Sequence, residues 1–318
     1  MKISIVIPLY NKEDFIGRAL ASVIAQTYGD WECIIVDDGS SDRSLDVVSG
    51  FQDQRIKIVR QQNAGPSAAR NRGAKEAHGE WIALLDADDY WLNDHLSVLT
   101  DLIVCFPECN VVASNWWNED MEGNRTVANK FSTQNDTTIE EYIEFVAGGF
   151  GPLVHSSSAA VRKSAWVTVG GFRNQFRLAE DADFWCRLSL QTRFAVSHRP
   201  SSVYFQDLTG NSTRSCLYVG DAPFIDLRRK IPTHRRKSFE KYLAILRVNS
   251  LALGTLLSGQ KRLTRKMSME SFRHTARSKA LALLLLSLLP TELCRKLYAS
   301  FRRIKGCSPI SSFISVRR

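Results

Sequence analysis

Over its first ninety residues the chain alternates short apolar runs with segments of helical periodicity, and that alternation leaves few folds open. Residues 3–9 (ISIVIPL), 33–36, 55–59 and 81–85 are rich in β-branched and apolar side chains, the pattern of strands buried on both faces. Between the first two, Phe15, Ile16, Ala19, Leu20, Val23 and Ile24 recur at helical spacing and run towards Gly29. Residues 68–77 read as another helix, ended by Gly79. Strands joined by helices at this spacing predict a parallel, doubly wound α/β sheet with right-handed crossovers. Beyond a helix expected at 92–104 the alternation loosens. Strands are predicted at 109–114, 154–161, 194–197 and 202–205, and helices at 138–146, 163–169 and 183–190, with a polar, irregular stretch over 115–136.

Two of the early strands end in carboxylates. Asp37 and Asp38 follow the second strand, and Asp86, Asp88 and Asp89 follow the fourth. In open α/β sheets ligands bind at the C-terminal edge of the strands. Carboxylates converging there repel one another unless a cation or hydrogen-bond donors share the site. Asp-x-Asp at a strand end suits a hard divalent ion completed by substrate phosphates, so this edge reads as metal-assisted handling of a nucleotide diphosphate.

The 318 residues suffice for one large domain and a substantial appendage. Charge divides the chain. Residues 1–227 carry 20 Lys+Arg against 30 Asp+Glu, whereas residues 228–318 carry 22 basic residues against three acidic ones, Glu240, Glu270 and Glu292. The expected division is therefore a catalytic domain over 1–227, with a nucleotide-binding half at 1–114 and an acceptor-binding half at 115–227, followed by a basic helical region at 228–318. That region suits an anionic partner. It carries no nucleic-acid recognition motif or aromatic stacking platform, and a membrane surface or a solvated basic face are the two readings left open. The seven cysteines form no CxxC pair, which fits free thiols in a reducing compartment. The N-terminus shows no signal-peptide pattern. The longest apolar run, residues 280–289, is half what a bilayer span of about 20 residues needs.

Three blocks carry a resemblance: residues 3–42 (ISIVIPLYNKEDFIGRALASVIAQTYGDWECIIVDDGSSD), 61–91 (QQNAGPSAARNRGAKEAHGEWIALLDADDYW) and 170–188 (GGFRNQFRLAEDADFWCRL). Together they resemble the family 2 glycosyltransferases of GT-A fold. The resemblance implies an inverting transferase that uses Mn²⁺ or Mg²⁺ and moves one sugar from a nucleotide sugar, a UDP-sugar above all, to a glycan acceptor. It places Pro8, Tyr10 and Asn11 beside the nucleobase and gives Asp38 the hydrogen bond from a uracil ring. Asn63, Gly65 and Arg70 fall on the nucleotide side, with Arg70 either on base or phosphate or solvated. Asp88 is the implied direct metal ligand, Asp86 meets the ribose or a metal-bound water, and Asp89 is either a second ligand or a helix cap. Asp181, with Glu180 before it, falls where the family places its catalytic base. Trp185 either lines the acceptor cleft or packs in the core, Asp183 supports the loop, and His155 is either a satisfied strand residue or a contact to acceptor.

The match departs from the family pattern at Tyr204-Phe205-Gln206-Asp207, where many relatives have Tyr-Arg and a following His. Nor does Gln-x-x-Arg-Trp follow the Glu-Asp pair, as it does in processive synthases, so a single addition is expected. The reading is a cytoplasmic enzyme, peripheral on the inner face of the membrane through its basic region and acting on a lipid-linked glycan of the cell envelope. Its rivals are a sugar nucleotidyltransferase, whose Gly-rich N-terminal loop is absent, and an inactive nucleotide-sugar-binding scaffold.

Overall fold

The computed structural model describes residues 1–129, 135–148, 153–175, 179–206, 222–246, 256, 259, 261–272, 277–294 and 296–297. Two compact units emerge. One comprises residues 1–119, 125–145 and 150–206; the other comprises 120–124, 146–149 and 207–318. The division in the chain thus falls at Gln206, ahead of the change in charge near residue 227.

The first unit is built on β1 (Ile3–Leu9), α1 (Ile16–Ile24), β2 (Trp31–Asp37), α2 (Ser44–Ser49), β3 (Ile56–Arg60), α3 (Pro66–Glu76) and β4 (Trp81–Leu84). It continues through β5 (Tyr90–Trp91), α4 (His95–Cys105), β6 (Val111–Glu119), β7 (Arg125–Val127), β8 (Thr137–Ile139) and α5 (Tyr142–Ala147). A 3₁₀ turn at Ser156–Ser158 then leads into β9 (Ala159–Arg162), α6 (Lys163–Val169), α7 (Glu180–Ser189) and β10 (Phe194–Phe205). The sheet order is β3-β2-β1-β4-β9-β6-β10-β5, with β7 on β6 and β8 on β10. Pairs β1–β2, β2–β3, β1–β4 and β6–β10 are parallel; β9 is antiparallel to both its neighbours. This is the mostly parallel α/β sheet of a GT-A fold.

β1 is central because both its faces are covered. Ile3, Ile5, Val6, Ile7 and Leu9 are fully buried, and Trp31, Trp81 and Leu20 join the same core. Helix α3 lies close on β1 at Gly73, where a Cβ would overlap the Val6 methyls. Gly65, at φ 90°, turns the chain into α3 with Pro66 in its first turn, where the missing proline N–H costs nothing.

Several elements differ from the expected pattern. The two strands expected at 194–197 and 202–205 are one strand, carried through register shifts at Pro200. Residues 115–119 extend β6 rather than forming loop, and Thr137–Ile139 pair with β10 before α5 begins. In each case pairing with a neighbouring strand overrides local polarity, which periodicity alone does not register.

At the far edge of the sheet Glu32 accepts from the Ser4 hydroxyl at 2.6 Å and from the His78 amide at 2.6 Å. Burial pushes the Glu32 carboxyl up, but these hydrogen bonds and Lys2 outweigh it and bring it down to about 2. A depressed carboxylate stabilises the fold above its unfolded pKa, and that contribution disappears as pH falls through the folded value. Glu32→Gln is therefore expected to cost on the order of 2 kcal/mol at neutral pH. In urea titrations the gap from wild type should close between pH 4.5 and about 2; a gap independent of pH would contradict this.

The second unit holds helices Ala222–Lys230, Arg236–Leu246, Lys261–Phe272 and Arg277–Leu286. Arg228 and Glu240 form a two-pronged ion pair at 2.8 and 2.9 Å, and Arg265 donates to the Ser287 hydroxyl at 3.0 Å. Among the described residues no helix is long and apolar enough to cross a membrane.

Candidate active site

The sheet delivers the carboxylates to one edge. Leu9 pairs with Asp37 and Val6 with Leu84, so the ends of β1, β2 and β4 lie side by side. Because β9 is antiparallel to β4, with Ala83 opposite Ala160, the residues just before β9 sit at the same edge. That reversal brings His155 and Ser157 to Asp86 and Asp89. β10 runs parallel to β6 and ends there too, at Phe205.

Pro8 and Tyr10 close β1 at this edge, with Tyr10 exposed. Asn11 takes a left-handed φ of 50°, tolerable for asparagine, and its Oδ1 accepts from the Ser41 amide at 2.8 Å. Asp38 is buried and shapes the facing loop: Oδ1 accepts from Gln61 Nε2 at 2.7 Å and the Ala64 amide at 2.9 Å, and Oδ2 from the Gly65 amide at 2.8 Å. Its carboxylate thereby organises the segment holding Asn63 and Gly65, and Asn63 itself is exposed.

Arg70, on α3, is neither solvated nor turned towards open solvent. Its guanidinium is buried and bridges two motifs, Nη2 to Asp86 Oδ1 at 2.7 Å and Nη1 to Glu180 Oε1 at 3.4 Å. Burial disfavours its charge, but Asp86, Glu180 and Asp181 more than compensate and hold it protonated. Burial would likewise push the Asp86 carboxyl up, yet Arg70, with His155 and Lys12, keeps it below the usual carboxylate range.

The other carboxylates of the turn divide. Asp88 forms an ion pair with Lys12 Nζ at 2.7 Å. Asp89 is buried and accepts from the Ser157 hydroxyl and, at 3.0 Å, from the Phe205 amide. It does not cap α4, which begins at His95 and whose first turn is met instead by Gln26 Oε1, accepting from the Leu96 amide at 2.9 Å. Burial, then Asp88 and Asp86, raise the Asp89 carboxyl well above its ordinary value. Ligand atoms of Asp86, Asp89 and His155 all lie within 4.8 Å of one another. Two oxygen donors and an imidazole kept neutral by burial fit a divalent ion, and the upward pressure on Asp89 is what a cation would relieve. His155 also packs its ring 4.7 Å from Tyr204 and 5.7 Å from Trp116. The sequence leaves His155 as either a satisfied strand residue or a contact to acceptor and gives no sign of its place beside Asp86 and Asp89, because nothing in the chain marks β9 as the strand that reverses.

Helix α7 opens on Glu180-Asp181 after Ala179, held left-handed at φ 59°, a conformation that costs an alanine about 1 kcal/mol and that clusters at functional sites. Arg70 pairs with Glu180 as well as with Asp86, so the start of α7 and the Asp86–Asp89 turn share one site. Burial and Asp181 both push the Glu180 carboxyl up, against the pull of Arg70. Asp183 is fully buried and pairs with Arg187 at 2.8 Å, whose other nitrogens donate to the Val169 and Gly171 carbonyls; it supports the loop. Trp185, 1% exposed, packs beside Phe184 in the core and lines no open cleft.

The glycosyl transferase family 2 model matches residues 4–167 of the chain. The chain belongs to this family. A relative from Escherichia coli, UDP-Glc:alpha-D-GlcNAc-diphosphoundecaprenol beta-1,3-glucosyltransferase WfgD, is 33% identical over 143 residues, covering 45% of this chain and 55% of its own. The chain spans about half the length of the first curated relatives it matches. Among solved structures, residues 1–349 of S. aureus TarS in complex with UDP-GlcNAc superpose with a TM-score of 0.68 at 20% identity, covering 93% of this chain and 92% of that one. The mannosyltransferase PcManGT of Pyrobaculum calidifontis, in complex with GDP-Man and Mn²⁺, gives a TM-score of 0.52 at 16% identity, over 96% and 81%. These structures share the GT-A fold.

Proposed function

We propose that this family 2 member transfers one sugar, with inversion, from a UDP-sugar to a lipid-linked glycan acceptor of cell-envelope polysaccharide assembly. The observation that carries the reading is the Arg70 bridge from Asp86 to Glu180, which sets the start of α7, next to Asp181, beside the turn whose Asp86 and Asp89 gather with His155. One relative named for UDP-glucose and a diphosphoundecaprenol acceptor, and a fold neighbour holding UDP-GlcNAc, support the choice of substrates.

Pro8, Tyr10, Asn11 and the Asp38-organised loop with Asn63 and Gly65 receive the nucleotide. Asp86, Asp89 and His155 hold Mn²⁺ or Mg²⁺, with Asp88 as the remaining carboxylate of the turn. A bound cation supplies Lewis-acid neutralisation of charge on the departing diphosphate. The Lys12 ammonium, now on Asp88, is a second positive group for that diphosphate to compete for. Asp181 takes the proton from the acceptor hydroxyl as its oxygen attacks the anomeric carbon on the face opposite the leaving group. Arg70 bridges Asp86 and Glu180, which holds donor and base ends in register. A panel of nucleotide sugars with acceptor lipid tests the reading. UDP-sugars should give metal-dependent release of UDP that EDTA abolishes; release of pyrophosphate instead would point to a nucleotidyltransferase.

The basic second unit docks on the cytoplasmic face of the membrane. Leu281, Leu285 and Leu288, at helical spacing, are 48%, 57% and 67% exposed, beside a region with 22 basic residues and three acidic ones. Apolar side chains flanked by cations suit an anionic lipid surface, at about 1 kcal/mol for each cation near it. Flotation with anionic vesicles should succeed at low salt and fail at high salt, while neutral vesicles bind little. Equal recovery on both lipids would contradict docking by charge.

A further inference from the structure

Arg18 projects from α1 onto the turn that carries the acidic residues. Its guanidinium carbon lies 4.4 Å from the centre of the Tyr90 ring and 4.3 Å from that of Phe205. Nη2 donates to the Asp88 carbonyl at 2.8 Å, and Nη1 is 3.8 Å from Glu119 Oε1. Glu119 in turn accepts from the Tyr90 hydroxyl at 2.6 Å and from Arg125 Nε at 2.6 Å, and Arg125 Nη2 reaches the Tyr90 hydroxyl at 2.7 Å. Phe205 is itself tied to the acidic turn, since its amide donates to Asp89.

One side chain therefore joins three pieces of backbone distant in sequence: α1, the Asp86–Asp89 turn running into β5, and the end of β10. A solvated helix arginine would need none of these contacts. The geometry points to Arg18 as a positioning residue that fixes the Asp88 carbonyl against the end of β10 and so sets the direction of the turn's carboxylates. A planar guanidinium can lie between two rings and donate in its own plane at once; a lysine ammonium has no such plane. The inference rests on the proposed function only in giving those carboxylates a cation to hold.

Arg18→Met and Arg18→Lys test it with two readouts. Hydrogen exchange on the full chain without metal is expected to quicken about tenfold in peptides covering 86–91 and 203–205, the loss of one charge-assisted hydrogen bond, while peptides of β1–β3 keep wild-type rates. Mn²⁺ titration followed by electron spin resonance should show affinity weakened about tenfold in both variants. Unchanged exchange at 86–91, or acceleration spread evenly over the sheet, overturns the assignment, as does lysine restoring both readouts. A wild-type protein that binds no Mn²⁺ would refute the cation reading, and the exchange result would still decide the role of Arg18.

Discussion

Asp181→Asn is expected to lower turnover by about 10²–10⁴-fold, the usual worth of a general base, with the donor KM near wild type. Asparagine has the shape of aspartate and keeps an oxygen for the Ala182 amide, which Asp181 Oδ1 accepts at 2.7 Å. It also serves well at helix starts, so a residue whose only task was to open α7 would survive the change. Loss of kcat with KM retained marks an interaction made in the transition state alone. Steady-state kinetics with folding checked by circular dichroism decides between the two roles, and near-normal turnover would remove Asp181 from the chemistry.

The largest effect on stability should come from Arg70→Met. Its guanidinium is the buried counter-charge to Asp86 and Glu180, and removing one partner from a buried ionic group leaves the others uncompensated, at a cost of about 3–5 kcal/mol. Arg70→Lys should recover only part of this, because an ammonium on a flexible stem cannot span both carboxylates as a fork does. Urea denaturation measures both variants. A loss below about 1 kcal/mol for the methionine variant would match an exposed pair instead and contradict the bridge.

Much of this site could be read from the chain because it is built on strands with a strong signature. The apolar runs of β1, β2 and β4 and the carboxylates after the latter two carry their own positions: a buried parallel strand must end at the edge where ligands bind. The resemblance of residues 170–188 points to Glu180 and Asp181, and these residues open α7. What could not be read depends on pairing between distant segments. His155 reaches Asp89 only because β9 reverses direction beside β4, and the Ser156–Ser158 turn carries no periodic signal. From the sequence Arg70 is either a contact to base or phosphate or a solvated cation; its two carboxylate partners, 16 and 110 residues away in sequence, appear only in the folded chain. Nor does anything in the chain mark Lys12 or Arg18, whose partner Asp88 lies 76 and 70 residues away in sequence. Trp185 faces the core because α7 is buried over nearly its whole length.

The proposed function requires one displacement, with the diphosphate leaving from one face of the sugar and an alcohol, deprotonated by Asp181, entering from the other. The anomeric configuration of the first-formed product, followed by proton nuclear magnetic resonance from an α-linked UDP-sugar, tests this most directly. A β-linked product is predicted; an α-linked product would mean two displacements or a front-face route, and the assignment of Asp181 as the base of a single step would not stand.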